Sequence, residues 1–219
     1  MLAGLEYRKF NTLYNSVVFR SDNKNVSASD AIKRLKRGNQ RFMMEQAKHP
    51  HSNLNRVHQL SHSQKPFVAT LSCSDSRVSP EIIFDQGLGD IFEVKNAGNV
   101  LDKASIGSLE YAVSNLGVNL VVIMGHDDCG AVKASMNTKK NKSIYINEIT
   151  HYIYPSVKQA RKESFDVLHT AAEKNCVNTA NKLINKSKII SNAIKNDGLK
   201  IIPAMYDVET GYVDFCNYS

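Results

Sequence analysis

Tryptophan is absent, and cysteine and proline are scarce: the 219 residues hold four Cys and five Pro. Four cysteines, at positions 73, 129, 176 and 216, are too few and too irregularly spaced for a disulfide framework, so reduced thiols are expected. Five Pro and eleven Gly exclude a collagen-like or low-complexity chain. Long apolar runs are missing as well. None approaches the ~18 residues of a membrane helix, so no membrane association is expected. The opening MLAGLEYRKF carries Glu6, Arg8 and Lys9 where the apolar stretch of a secretory signal would stand. A cytoplasmic protein is the expectation, with export after removal of a segment ahead of Met1 as the alternative.

What is present fits a globular chain, with 42% apolar and 22% charged residues. The length suits one domain with an appended arm. Lys and Arg outnumber Asp and Glu by 28 to 21, a net charge of +7. Such a balance can attract nucleic acid, an anionic surface or an anionic small molecule. The basic residues are spread, however. Lys33, Arg34, Lys36, Arg37 and Arg41 read as a solvated helix face, and Lys139, Lys140 and Lys142 as a surface loop. No aromatic interleaving accompanies them, so no nucleic-acid partner is expected.

Residues 1–26 have weak periodicity and read as an arm. Ser27 or Ser29 can cap a helix over about 28–47, with Ile32, Leu35, Phe42 and Met43 on one stripe. Residues 48–65 are polar and rich in histidine. His49, His51, His58 and His62 have no Cys or carboxylate cluster beside them, which favours a solvated loop over a metal site. From residue 66 strands and helices alternate: strands at 66–73, 90–97 and 119–126, helices at 79–89, 103–117 and 129–137. Two helices follow at 144–163 and 172–195, then two strands within 198–215. The pattern predicts an α/β fold: a mostly parallel central sheet with flanking helices, an antiparallel edge strand and an N-terminal helical arm. Residues 1–65 form the arm and helix, and residues 66–219 the core.

Chemistry gathers at two strand ends. The first strand closes in Cys73-Ser-Asp75-Ser-Arg77, the third in Gly125-His126-Asp-Asp-Cys129-Gly130. Open parallel sheets bind ligands beyond the carboxyl ends of their strands, where the strand order reverses. If the first and third strands are neighbours there, Cys73, His126 and Cys129 converge. Two thiolates and one imidazole suit zinc, and three protein ligands leave a fourth position open, as in catalytic sites. Zinc lowers the pKa of bound water toward ~7. Asp75 can accept a hydrogen bond from that water, and Arg77 can clamp Asp75 with two parallel bonds that Lys cannot make. Cys176 and Cys216 lack metal-ligand spacing and read as packing residues. His151 and His169 read as helix-surface or packing residues rather than ligands or shuttles.

These segments, from QKPFVATLSCSDSRV through FDQGLGDIFEVKNAGNV and SLEYAV to GHDDCGAV, resemble the β-class carbonic anhydrases over roughly residues 28–215. The resemblance implies a zinc enzyme, one Zn2+ per chain, that reversibly hydrates carbon dioxide to bicarbonate. It implies Cys73, His126 and Cys129 as zinc ligands, with zinc-bound hydroxide as the nucleophile. Asp75 and Arg77 would form the dyad that orients it and keeps the fourth zinc position open. Gln64, Phe92, Ala97 and Tyr111 are implied in the substrate pocket. A homodimer or a tetramer of dimers is implied, with the helix near 28–47 wrapping the partner and pocket residues drawn from both chains. One departure is Asp127, where relatives commonly carry Ser or Thr. Others are Thr70 and Lys95, where some members carry the Trp and Arg of a bicarbonate pocket that accompanies an inactive state.

Rival readings keep the site and change its use. Carbon disulfide or carbonyl sulfide hydrolases share similar motifs. A non-catalytic zinc-binding module has no need of a charge clamp such as Asp75-Arg77. A zinc-dependent dehydrogenase would need a G-x-G-x-x-G after a strand, and none is present.

Overall fold

The computed structural model describes residues 26–137 and 143–216. Most of the arm at 1–26 and the basic loop around Lys139, Lys140 and Lys142 fall outside them. Helix α1 (Ala28–Met43) begins at Ser27, whose hydroxyl accepts the Asp30 amide. A short helix α2 (Leu54–Gln59) is capped by Asn53 in the same way. Strand β1 (Val68–Cys73) leads to the short α3 (Pro80–Ile83), then β2 (Ile91–Asn96) and a 3-10 turn (Ala97–Asn99). Helix α4 (Lys103–Leu116), β3 (Leu120–His126) and α5 (Gly130–Met136) follow. The chain continues through α6 (Ile144–Glu163), α7 (Val167–Lys186) and α8 (Lys188–Asn196) to β4 (Lys200–Tyr206) and β5 (Val213–Phe215).

The sheet runs β2-β1-β3-β4-β5, parallel except for β5, which pairs antiparallel with β4. Both faces are covered, so β1 and β3 are buried along their whole length, and β3 reads as a nearly unbroken apolar run. Ala28, Ala31 and Leu35 of α1 pack with Val68, Leu120, Val122 and Met124 on one face. Ala69, Leu71, Val121 and Ile123 face α4 to α8 on the other. Leu35 is fully buried, worth roughly 1.5–3 kcal/mol over exposure. Helix α1 therefore seats its buried stripe on its own chain's sheet.

Pro203 sits inside β4 opposite Ile123. Pairing with β5 begins at Ala204, so the ring, which has no N–H, falls at an open edge.

The structure departs from expectation in three places. The helix expected over 79–89 closes at Ile83, because Asp85 turns to a φ of 44° and lends both carboxylate oxygens to neighbouring segments. The helix expected over 172–195 is two helices that meet at Ser187. The Ser187 hydroxyl accepts the Ile190 amide and donates to Glu110, so it starts a new helix instead of continuing the old one. The basic face of α1 is only partly solvated. Arg34 binds Gln86 and the buried Asp90, while Arg41 binds the buried Asp85. His51 also pairs with Asp90. These bonds fasten α1 and residues 48–60 to the segment before β2.

Candidate metal centre and its surroundings

Strand β1 lies between β2 and β3, so the chain reverses its order of travel there and a crevice opens at the carboxyl ends. Cys73 ends β1, His126 ends β3, and Cys129 caps α5 three residues later. All three are buried, and one ligand atom from each lies within 4.8 Å of the others. The two sulfurs are 3.9 Å apart. The Cys73 sulfur also receives the amides of Gly98 (3.3 Å) and Asp75 (3.4 Å). The hydrogen bond with Cys129 pulls the Cys73 thiol down against the cost of burial, and those two amides assist. The same bond, with burial, pushes Cys129 up. The pair thus shares one proton, and a dication between the sulfurs would displace it.

His126 is fixed by its other ring nitrogen. Nδ1 is 2.8 Å from the Asp127 carbonyl oxygen, which can only accept, so Nδ1 carries the hydrogen. Nε2 is then a bare lone pair, buried and without a partner. A buried acceptor left open is costly, and among two thiol sulfurs it fits a soft or borderline metal such as zinc.

Asp75 and Arg77 stand beside this group. Arg77 donates from Nε (3.0 Å) and Nη2 (2.9 Å) to the two oxygens of Asp75, and its own amide adds a third bond. These bonds hold the Asp75 carboxyl well below the usual carboxylate range. The Asp75 Oδ2 lies 3.9 Å from His126 Nε2, near the open lone pair but tied to the guanidinium.

Two close approaches pack the back of the crevice. Gly98 has a φ of 74°, and a Cβ there would come within 2.5 Å of Ile153 and 2.9 Å of Ala131, so only glycine brings its amide to Cys73. A Cβ on Gly125 would meet Cys176 Sγ at 2.5 Å. Cys176 is fully buried and packs there, outside the Cys73, His126 and Cys129 group.

The expected pocket residues are not all gathered. Ala97 precedes Gly98 and so adjoins Cys73. Phe92 pairs in register with Ala69, four residues before the Cys73–Asn96 pair, or about 13 Å along the strand. Tyr111 stacks on Phe92 at 6.2 Å and is half exposed. Gln64 is exposed ahead of β1, toward the opposite end of the sheet. Within one chain, Gln64, Phe92 and Tyr111 stand away from the candidate ligands.

Two features escaped the sequence. His169, expected as a helix-surface or packing residue, binds Asp127 at 2.5 Å. No local signal joins residues so far apart. Beside Thr70, across the strand pair, stands Glu93, and one oxygen of each is buried without a partner. Burial and the neighbouring Glu81 push Glu93 up to about 8.

Comparison with known proteins places this arrangement. The carbonic anhydrase family profile matches residues 68–213. "Carbonic anhydrase 2" of Mycobacterium tuberculosis is 37% identical over 190 residues, covering 85% of this chain and 92% of that protein. The carbonic anhydrase of Mycolicibacterium smegmatis is 36% identical over 187 residues, covering 84% and 91%. Among solved structures, the β-carbonic anhydrase CafA of Aspergillus fumigatus superposes with a TM-score of 0.69 at 26% identity, covering 87% and 91%.

Proposed function

The chain belongs to the β-class carbonic anhydrases and is an enzyme of that class, and we propose that it hydrates carbon dioxide reversibly to bicarbonate and a proton on one zinc ion held by Cys73, His126 and Cys129. The observation that carries this reading is the buried, unpartnered Nε2 of His126, set within 4.8 Å of both sulfurs. Zinc, when bound, acidifies water toward a pKa of ~7 and so makes a nucleophilic oxygen available at neutral pH.

The remaining work falls to the chain. Asp75 accepts a hydrogen bond from the attacking water and turns its lone pair toward the carbon. Arg77 keeps Asp75 ionised and off the metal by its two-pronged grip, a geometry a lysine cannot reproduce. Ala97 walls the inner side of the pocket. Phe92 and Tyr111 offer an apolar surface suited to carbon dioxide, and Gln64 orients it. Phe92 and Tyr111 lie on and beside the outer strand of the sheet, so we place them, with Gln64, over the ligands of a second copy. That arrangement calls for a homodimer or a tetramer of dimers.

Zinc content and stopped-flow carbon dioxide hydration, measured on one preparation, test the reading. About one zinc per chain together with rapid hydration supports it. Full zinc loading without hydration would sink it.

A further inference from the structure

Only Asp127 and Asp128 separate the proposed ligands His126 and Cys129. Asp128 holds a φ of 58°, in the left-handed region that L side chains rarely take, so this short turn is strained and is not relieved by glycine. Each of its two acids is tied down. Asp128 pairs with Lys133, within α5. Asp127 is held on three sides. Its amide donates to the Tyr206 carbonyl at 3.1 Å, its carbonyl accepts from His126 Nδ1, and its carboxylate binds His169 Nδ1 at 2.5 Å.

His169 belongs to the first turn of α7, an element that supplies no proposed ligand. Its amide is held by the Asp166 carboxylate at 3.1 Å, so the residue is anchored before its ring reaches Asp127. On the ring's far side, Nε2 faces Glu173 at 3.4 Å. Burial opposes the charged ring, but Asp127, Glu173 and Asp166 together hold its pKa above the ordinary value. Asp207, at the end of β4, feels the same charge.

Resting on the zinc reading above, we propose that His169 is a positioning residue for the metal centre: by gripping Asp127 it fixes the carbonyl that orients His126 and the turn that presents Cys129. Helix α7 thereby acts on the metal centre without supplying a ligand to it. A partner that orients a metal-bound histidine contributes about ten- to a hundredfold to metal affinity. The grip here is one step further removed, so the lower end of that range is expected.

The test uses full-length, zinc-loaded protein and its His169→Ala and His169→Gln variants. Zinc transfer to an excess of chromophoric chelator is timed, and the visible absorption bands of the cobalt-substituted forms are recorded. His169→Ala should release zinc about tenfold faster and shift the cobalt bands. His169→Gln, which keeps an N–H toward Asp127, should restore most of both, and the melting temperature of the metal-free protein should not change. Release from His169→Ala at the parental rate, with the parent fully loaded, would overturn this proposal alone. Activity lost in His169→Ala and recovered with imidazole buffer, with zinc release unchanged, would overturn it in favour of a proton carrier. A parent that takes up no zinc would overturn the ligand reading and this proposal with it.

Discussion

At the carboxyl ends of β1 and β3, the candidate metal-binding side chains and the Asp75–Arg77 pair are fixed by neighbours. Cys73 receives two amides, His126 is oriented by a carbonyl, Asp75 is gripped by Arg77, and the open lone pair of His126 points into the crevice. On β2 and in the neighbouring helix α4, three side chains are left less tied. Phe92 is partly exposed, Tyr111 half exposed, and Glu93 keeps a buried oxygen without a partner. Position in the sheet explains the difference. Strands β1 and β3 each have a neighbour on both sides, whereas among the described residues β2 pairs with β1 alone. A central strand can preorganise a metal centre within one chain. An outer strand leaves its side chains for something else to cover, and here a second copy is the proposed cover.

The contrast breaks most sharply at the ligands. Cys73→Ala, His126→Ala or Cys129→Ala should each strip the metal and reduce hydration to background, while Cys216→Ser should do neither. Metal content per chain, measured beside activity, checks this, and zinc retained in all three ligand variants would refute the assignment. Next in size is Arg77→Lys. It should keep zinc yet lower kcat/KM about a hundredfold, the scale expected when a reacting group is misplaced by an ångström. A variant as fast as the parent would show that the clamp is dispensable.

The two-chain pocket makes a prediction of its own. Cys73→Ala and Phe92→Ala proteins, unfolded together and refolded as a mixture, should recover about a quarter of parental activity, because half the pairs are mixed and each restores one site. Recovery no greater than the sum of the two separate variants would place Phe92 in its own chain's site, or outside any.

The smallest expected effect lies at Glu93, where pH sharpens the comparison. Folded Glu93 keeps its proton up to about pH 8. The unfolded chain releases it near a pKa of about 4.3. Between those values unfolding sheds a proton, so the folded state loses stability as pH rises, and the loss levels off above pH 8. Glu93→Gln removes that dependence. Its melting temperature should exceed the parent's by a margin that grows from pH 5 to pH 8 and then stays level.

Much of this was legible in the sequence because it is written in local pattern. The runs ending at Cys73 and His126 named the strands, and the His-x-x-Cys spacing named two candidate ligands on one turn. The parallel α/β layout followed from alternation. What was not legible depends on packing between distant segments. Nothing near His169 announces Asp127, since their meeting requires α7 to lie along β3. Arg34 and Arg41 looked solvated because their partners, Asp90 and Asp85, stand on the far side of β1 in the chain. Ser187 could have continued a helix as readily as started one, and only its bond to Glu110 decides. The orphaned oxygens of Thr70 and Glu93 arise from cross-strand register, which composition does not encode.

The pairing of β1 with β3 also sets a timetable for synthesis. All three proposed ligands have been made once Cys129 leaves the ribosome, while α6, α7, α8 and β4 are still to come. Metal captured then would cross-link the ends of β1 and β3 and close the long loop between residues 73 and 126, whose closure entropy otherwise slows a parallel pairing. Metal arriving later would meet a nearly finished fold in which both sulfurs are already buried side by side. The supply of metal during translation would then govern the yield of intact enzyme as well as its occupancy.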